Sequence, residues 1–383
     1  MIAYLTDVEG RWDKLASFAD GNPHVSLAGD SLRLADGVTF VFGGDAIDRG
    51  PSDRRFLKTL LAARREYGDR VVMLAGNRDI NKLRLVRELA GKPPAKAPAT
   101  TTRGELLRWI FANTMGAGKA FDHRATELGS VNDEMVVASY LDDLAPGGLL
   151  REYLDACQLG FRAGGTLFLH GGVTAENFGM VPGAEPSRDV DGWLAALDRF
   201  YRDELAAFAA GREPAALIAY QAPQRGSRSN PYSVVYARPA DDDANPRLPA
   251  ASVIGRLRDS GITRLVVGHT PSGDCPAILR DTNFELILAD NSYSRVELGS
   301  QVAIGDREVH IRGFTQLDDG TQHRIDYTAQ ADDPNLGRRD RRTGQLVKAR
   351  LDSERYLLFR GLPKYQVEQI AATVAGRELE PAR

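Results

Sequence analysis

The chain has 383 residues, 43% hydrophobic and 26% charged, and Lys plus Arg (49) nearly balances Asp plus Glu (52) for a net charge of -3. That length permits one large or two ordinary domains with a sizeable core, and the near-neutral balance gives no reason to expect a polyanion-binding surface overall, so nucleic acid is not the expected partner. The two cysteines, Cys157 and Cys275, exclude a disulfide scaffold and a multi-cysteine zinc site and fit a reducing compartment.

The opening "MIAYLTDVEG" enters a strand-like apolar run without a basic leader, and no segment approaches an uninterrupted membrane span; a cytoplasmic protein with no membrane partner is expected. "IAYLT" (Ile2 to Thr6) reads as a buried strand, "VSLAGDSLRL" (Val25 to Leu34) as a hairpin around Gly29 and Asp30, and "VTFVFG" and "RVVMLAG" as further strands. Between the last two, "SDRRFLKTLLAARREYG" spaces Phe56, Leu57, Leu60 and Leu61 at helical intervals behind Pro51. Strand, turn, helix, strand is the order of an α/β layered domain. The rhythm breaks at "GKPPAKAPATTTRG" (Gly91 to Gly104), which predicts irregular chain, and residues 92–163 read as a mostly helical insertion carrying "ELLRWIFANTM" and "GGLLREYLDACQLGF".

Strands return with "GTLFLH" (Gly165 to His170), and a second insertion covers residues 173–252, from the amphipathic "DGWLAALDRFYRDELAAFAAG" to the irregular "QAPQRGSRSNPYSVVYARPADDDANP". "ITRLVVGHT" (Ile262 to Thr270) and "FELILAD" (Phe284 to Asp290) then close residues 1–300 as the main domain. Residues 301–383 read as a small α+β accessory region: strands "REVHIRGF" and "HRIDYTAQ", an exposed hairpin tip "GRRDRRTG", and a closing helix "PKYQVEQIAATVAG".

Five motifs end apolar strands, where α/β folds gather their sites: "TDVEG" with Asp7 and Glu9, "GGDAIDRG" with Asp45, Asp48 and Arg49, "GNRD" with Asn77, "LHGG" with His170, and "VGHT" with His269. Three of these four carboxylates, with the amide and the two imidazoles, can hold two divalent metals with one carboxylate bridging. In order and spacing the motifs resemble the calcineurin-like metallophosphoesterases, in particular the branch of the Ser/Thr phosphoprotein phosphatases and the bacterial diadenosine tetraphosphate hydrolases. "GDAIDRG" is the most specific of them. The resemblance covers roughly residues 2–91, 165–175 and 262–290.

That resemblance implies a two-sheet α/β sandwich flanked by helices, with the insertions forming a cap. It implies Asp45 as bridge between two metals, Asp7 and Glu9 completing the first site, and Asn77, His170 and His269 completing the second, with a hydroxide between the metals as nucleophile. Arg49 would grip a phosphoryl oxygen, and Asp48 would orient a neighbour without touching metal. Two positions depart from the family pattern. Glu9 stands where the family has histidine, so the first site would be all oxygen and would favour Mn²⁺ or Mg²⁺, Mn²⁺ first, over Zn²⁺ or iron.

Arg78 replaces the histidine of the family's "GNH", which is thought to steady or protonate the leaving group. A guanidinium of pKa above about 12 stabilises negative charge but is a poor proton donor at neutral pH. Facing the substrate, Arg78 would favour phosphoanhydrides or activated esters; the alternative is a structural ion pair with Asp48 or Asp79. Arg238 in "VVYARP" is the further candidate for binding phosphate, with Arg225 competing. His24, His123, His310 and His323 lack motif context and read as surface or hydrogen-bonded histidines.

The sequence thus predicts a metal-dependent phosphoesterase acting on a small phosphorylated metabolite or nucleotide, with no oligomeric state assigned. Its alternatives are a phosphoprotein phosphatase and a non-catalytic binding module.

Overall fold

The computed structural model describes every residue except 100, 101, 130, 293, 294, 297, 307, 331, 364 and 365. From the N-terminus, β1 (Ile2–Leu5) and α1 (Trp12–Ala19) lead into the hairpin of β2 (Val25–Ala28) and β3 (Ser31–Leu34), then β4 (Thr39–Phe42), α2 (Asp53–Tyr67) and β5 (Val71–Met73). Short helices α3 (Asn77–Ile80) and α4 (Arg84–Glu88) precede four helices of the first insertion, α5 (Arg103–Thr114), α6 (Ala120–Leu128), α7 (Asp133–Leu144) and α8 (Leu149–Ala156). Thr102 and Glu105 close a reciprocal capping box at the start of α5, and the Asn132 side chain accepts the Met135 amide to start α7. Thr100 and Thr101 of the Pro-rich stretch lie outside the described residues. The first insertion ends in a strand, β6 (Gly160–Ala163), paired antiparallel with β7 (Thr166–Leu169). The second carries α9 (Val190–Ala209), α10 (Ala215–Tyr220) and α11 (Ala251–Asp259), followed by β8 (Arg264–Val267), β9 (Ala277–Asp281) and β10 (Phe284–Leu288).

Two sheets result. In the first, β1, β4 and β5 run parallel; in the second, β7, β8 and β10 run parallel with β6 and β9 on the edges. Side-chain alternation sorts each strand between two cores. Tyr4, Val41 and Val72 meet Phe168, Val266 and Ile287 between the sheets, and the Tyr4 and Phe168 rings lie 5.7 Å apart. Leu5, Phe42 and Met73, like Leu169, Val267 and Leu288, face outward against helices. Strands buried on both faces read as unbroken apolar runs, which is why the sequence showed them. The two-sheet sandwich flanked by helices is therefore present.

The chain after residue 300 differs from expectation. β11 (Gln301–Ile304) pairs antiparallel with β1, and β12 (Val309–Gln316) and β13 (Gln322–Ala329) extend that same sheet, so these strands complete the first layer. A third, antiparallel sheet follows in the order β17-β16-β15-β14-β18: β14 (Arg338–Asp340), β15 (Leu346–Arg350), β16 (Tyr356–Leu362), β17 (Gln366–Ala372) and β18 (Leu379–Pro381). The expected closing helix is a strand, because Gln366 to Ala372 pair residue for residue with Leu362 to Tyr356; Lys364 and Tyr365 fall outside the described residues. The C-terminal part is thus β rather than α+β among the described residues. "GRRDRRTG" does turn between two strands, β14 and β15. No helix among the described residues is long and apolar enough to cross a membrane.

Candidate active site

β1, β4, β5, β7, β8 and β10 end on one side of the sandwich, and Asp7, Asp45, Asn77, His170, His269 and Asp290 follow their last residues. The chain turns sharply there. Asp7, Glu9, Asp45, Asp48 and His269 all have positive φ (51°, 53°, 57°, 111° and 58°), a conformation L-residues adopt at a cost and that surrounding structure must impose. For Asp7, Glu9 and Asp45, backbone bonds between the β1 and β4 loops do so: Asp7 N donates to Gly44 O, Glu9 N to Asp45 O and Gly10 N to Ala46 O. Close approach also needs bare backbone. A Cβ on Gly76 would lie 2.2 Å from the Asp45 amide nitrogen, and one on Gly268 would lie 2.4 Å from Asp7 Oδ2.

Asp45, His170 and His269 bring their ligand atoms within 4.8 Å of one another. His170 Nδ1 lies 2.8 Å from the Gly43 carbonyl, an acceptor only, so this nitrogen carries the proton. Its Nε2 faces two oxygens, Asn77 Oδ1 at 3.2 Å and Asp45 Oδ1 at 3.3 Å. A nitrogen so placed holds a proton or a cation. Burial lowers the His170 pKa, but Asp45 outweighs it and pushes it up to about 9; Asp45 itself, raised by burial, is held below its ordinary value by His170 and Arg78. His269 is the converse: burial, then Arg238, keep it neutral, and its buried Nε2 has no hydrogen-bond partner among the described residues. Carboxylate, amide oxygen and two imidazoles, one with an unused lone pair, form a donor set that fits a divalent cation.

Arg78 sits on the other side of Asp45. Its backbone N–H donates to Asp45 Oδ1 at 2.8 Å, and its Nε lies 2.7 Å from Glu9 Oε1 and 3.5 Å from Asp45 Oδ2. Glu9 Oε2 faces Arg49 Nη1 at 3.4 Å. Asp48 is buried behind this pair and takes a 2.7 Å bond from Lys82 Nζ, with Arg78 Nη1 at 3.7 Å. Asp79 accepts the amides of Asp45, Ala46 and Gly76 and the Tyr153 hydroxyl, pinning the two loops together. Asp7 is held by the Thr6 hydroxyl at 2.6 Å and the His269 amide at 3.1 Å.

A cavity of about 360 Å³ opens over these groups. Of the residues singled out by sequence, Asp7, Glu9, Asp45, Asn77, Arg78, Arg238 and His269 line it. His170 is fully buried behind Asp45, while Asp48 and Arg49 lie outside the lining. Arg238, not Arg225, reaches the cavity, its Nη1 donating to the His269 carbonyl at 2.8 Å. Both insertions wall it: Ala112 to Gly116 at the end of α5, and Gln221 to Pro223 after α10. Sequence reasoning passed over Lys82, Asp290 and Tyr236. Asp290 ends "FELILAD" by the same strand-end logic as the others, faces the cavity and holds the Asp7 carboxyl up, after burial, by like charge. The Tyr236 ring lies 4.6 Å from that of His269, tilted by 59°.

The calcineurin-like phosphoesterase family matches residues 1–273. Among solved structures, a "Protein serine/threonine phosphatase from Saccharomyces cerevisiae with similarity to human phosphatase PP5" is similar at 12% identity, over 86% of this chain and 79% of that one, with a TM-score of 0.42. No curated protein matches.

Proposed function

The chain belongs to the calcineurin-like phosphoesterases, and from that premise we propose that it is a metal-dependent hydrolase of a small phosphorylated metabolite or nucleotide. The observation that carries this reading is the convergence of the Asp45, Asn77 and His269 ligand groups with Arg78 and Arg238 on one cavity walled by both insertions. Its volume, about 360 Å³, lies in the range of small-molecule sites and favours a small substrate over a folded phosphoprotein.

Asp45, Asn77, His170 and His269 would hold the cation, with the Gly43 carbonyl fixing the His170 ring so that Nε2 faces the centre. A divalent ion held there supplies Lewis acidity, lowering the pKa of water and neutralising phosphoryl charge. Arg238, anchored on the carbonyls of His269 and Arg228, presents its guanidinium to a phosphoryl oxygen. Arg78 adds fixed positive charge beside Asp45 and gives no proton. Tyr236, whose hydroxyl burial keeps protonated, is the neutral donor at the wall. Leaving groups stable as anions, such as phosphoanhydrides and activated esters, suit this set best. The two cysteines are buried and free, which supports the cytoplasmic placement we propose.

The test is a hydrolysis screen across nucleotides, phosphorylated metabolites and phosphopeptides with Mn²⁺, Mg²⁺ and Zn²⁺ in parallel. Turnover of small anhydrides or activated esters, dependent on a divalent ion, is expected. Turnover of phosphopeptides alone would replace this reading with a phosphoprotein phosphatase. No turnover with any ion would leave a binding module.

A further inference from the structure

Asp45 presents two different partners to its two oxygens. Oδ1 faces His170 Nε2 within the group that fits a cation, while Oδ2 faces the Arg78 guanidinium at 3.5 Å. We propose that this centre takes one divalent cation, on the His170 and His269 side of Asp45, and that Arg78 stands in the place where the resemblance led us to expect a second. The inference rests on the metal-dependent reading above.

Three observations carry it. First, each oxygen of Glu9 faces a guanidinium, Oε1 that of Arg78 at 2.7 Å and Oε2 that of Arg49 at 3.4 Å. A cation on Glu9 would have to displace a charge-assisted hydrogen bond and then lie beside the positive group it displaced. Second, Arg78 is not a mobile surface arm. Its side chain is 10% exposed, its amide is bound to Asp45 Oδ1, and its carbonyl accepts from the buried Lys82 at 2.9 Å. Third, among the described residues the His, Cys, Asp and Glu groups of three or more that converge closely enough for a metal comprise Asp45, His170 and His269 only. Asp7 and Glu9 stay outside that group, with Asp7 bound by Thr6 and the His269 amide. A guanidinium supplies one positive charge where a second divalent cation would supply two, and it has no open coordination position for water, so it takes over part of the charge neutralisation and none of the Lewis acidity.

Mn²⁺ loading of the full-length protein, read by metal analysis and by Mn²⁺ electron paramagnetic resonance, tests this without depending on turnover. About one Mn²⁺ per chain with the six-line spectrum of an isolated ion is expected. Arg78→His, which removes the guanidinium from Glu9 Oε1 and Asp45 Oδ2, should bind about one more and give an exchange-coupled spectrum, while Arg78→Lys should stay at one. Two coupled ions in the unaltered protein would overturn the inference and leave the hydrolase reading standing. No Mn²⁺ in the unaltered protein would overturn both. A single ion in Arg78→His would remove Arg78 from the role assigned to it. Should Arg78→His fail to fold, the count and spectrum of the unaltered protein decide the question.

Discussion

Replacing Lys82 with methionine should destabilise the protein by about 3 kcal/mol. Lys82 Nζ has no exposed surface and donates to Asp48 Oδ2 at 2.7 Å, Asn81 Oδ1 at 2.7 Å and the Arg78 carbonyl at 2.9 Å. Methionine keeps the length of the side chain but removes the charge and all three bonds. Deleting one partner of a buried ion pair costs about 3–5 kcal/mol, because the other charge stays in a low-dielectric site without compensation. The lower end applies here, since Arg78 Nη1 remains 3.7 Å from the same Asp48 oxygen. With an unfolding entropy of about 2.1 cal/mol/K per residue, the whole chain gives about 0.8 kcal/mol/K, so Tm should fall by about 4 °C. Urea unfolding and differential scanning calorimetry read both quantities. Asp48→Asn in the Lys82→Met background should recover at least half of the loss, because it removes the stranded carboxylate. A loss below about 1 kcal/mol, or a double variant as unstable as the sum of the singles, would refute the argument.

Other consequences can be measured separately. His269→Ala should weaken Mn²⁺ binding by at least about 100-fold and abolish the rise in Tm on Mn²⁺ addition, and should also lower the Tm of the metal-free protein, because the buried ring gives up its contacts with Tyr236 and His170. An unchanged Mn²⁺ titration would remove His269 from the site. Arg238→Met should raise KM by roughly 10- to 100-fold, the worth of a charged hydrogen bond to phosphate, with a smaller change in kcat; a fall in kcat at constant KM would show Arg238 acting through His269 instead. Burial, opposed by Arg124, pushes Asp53 up to about 8, far above its unfolded value of about 3.9, so the fold holds a proton that the unfolded chain releases. Stability should therefore fall as pH rises from about 4 towards 8, by at most about 1.4 kcal/mol per unit. Asp53→Asn should remove that slope in urea midpoints taken at pH 5 and pH 7, and an identical slope in the variant would refute the assignment.

What the sequence shows here follows from which contacts leave a local trace. Doubly buried strands leave continuous apolar runs, and a polar residue just past such a run stands out, so the strand-end position of Asp7, Asp45, Asn77, His170 and His269 was legible, while the roles proposed for them came from the resemblance. Asp290 left the same trace at the end of "FELILAD" and was open to the same logic. The Glu9–Arg78 pair left none, because 69 positions separate its members and neither residue type announces the other. Lys82 lies one helical turn past Arg78, where a lysine reads as solvated, and only the fold reveals it buried on Asp48. β17 misled in the opposite sense. Val367, Ile370, Ala371 and Val374 recur at helical spacing, yet a partner strand β16 offers Gln366 to Ala372 a full ladder, and that tertiary pairing prevails over local pattern.

The two departures from the family pattern are physically one change. Asp7, Glu9, Asp45 and Asp290 all reach one small cavity, and four carboxylates there repel unless positive charge stands among them. With a neutral residue at position 78, Glu9 would add a negative charge and leave its neutralisation to metal and Arg49. With Arg78 present, Glu9 is neutralised by the chain itself, through groups fixed by folding rather than by metal supply. The same exchange explains Lys82. Arg78 turns its Nε to Glu9 and leaves its Nη1 3.7 Å from Asp48, whose close partner is the buried Lys82. Glu9, Arg78, Asp48 and Lys82 thus form an alternating chain of charge with each carboxylate beside a cation. Reverting Arg78 alone strands Glu9, and reverting Glu9 alone leaves Arg78 competing with any metal for Asp45. The catalytic consequence lies in what a guanidinium cannot do: it holds charge at every accessible pH but neither gives up a proton nor activates water as a Lewis acid, so the proposed chemistry falls to the single group of ligands on the other side of Asp45.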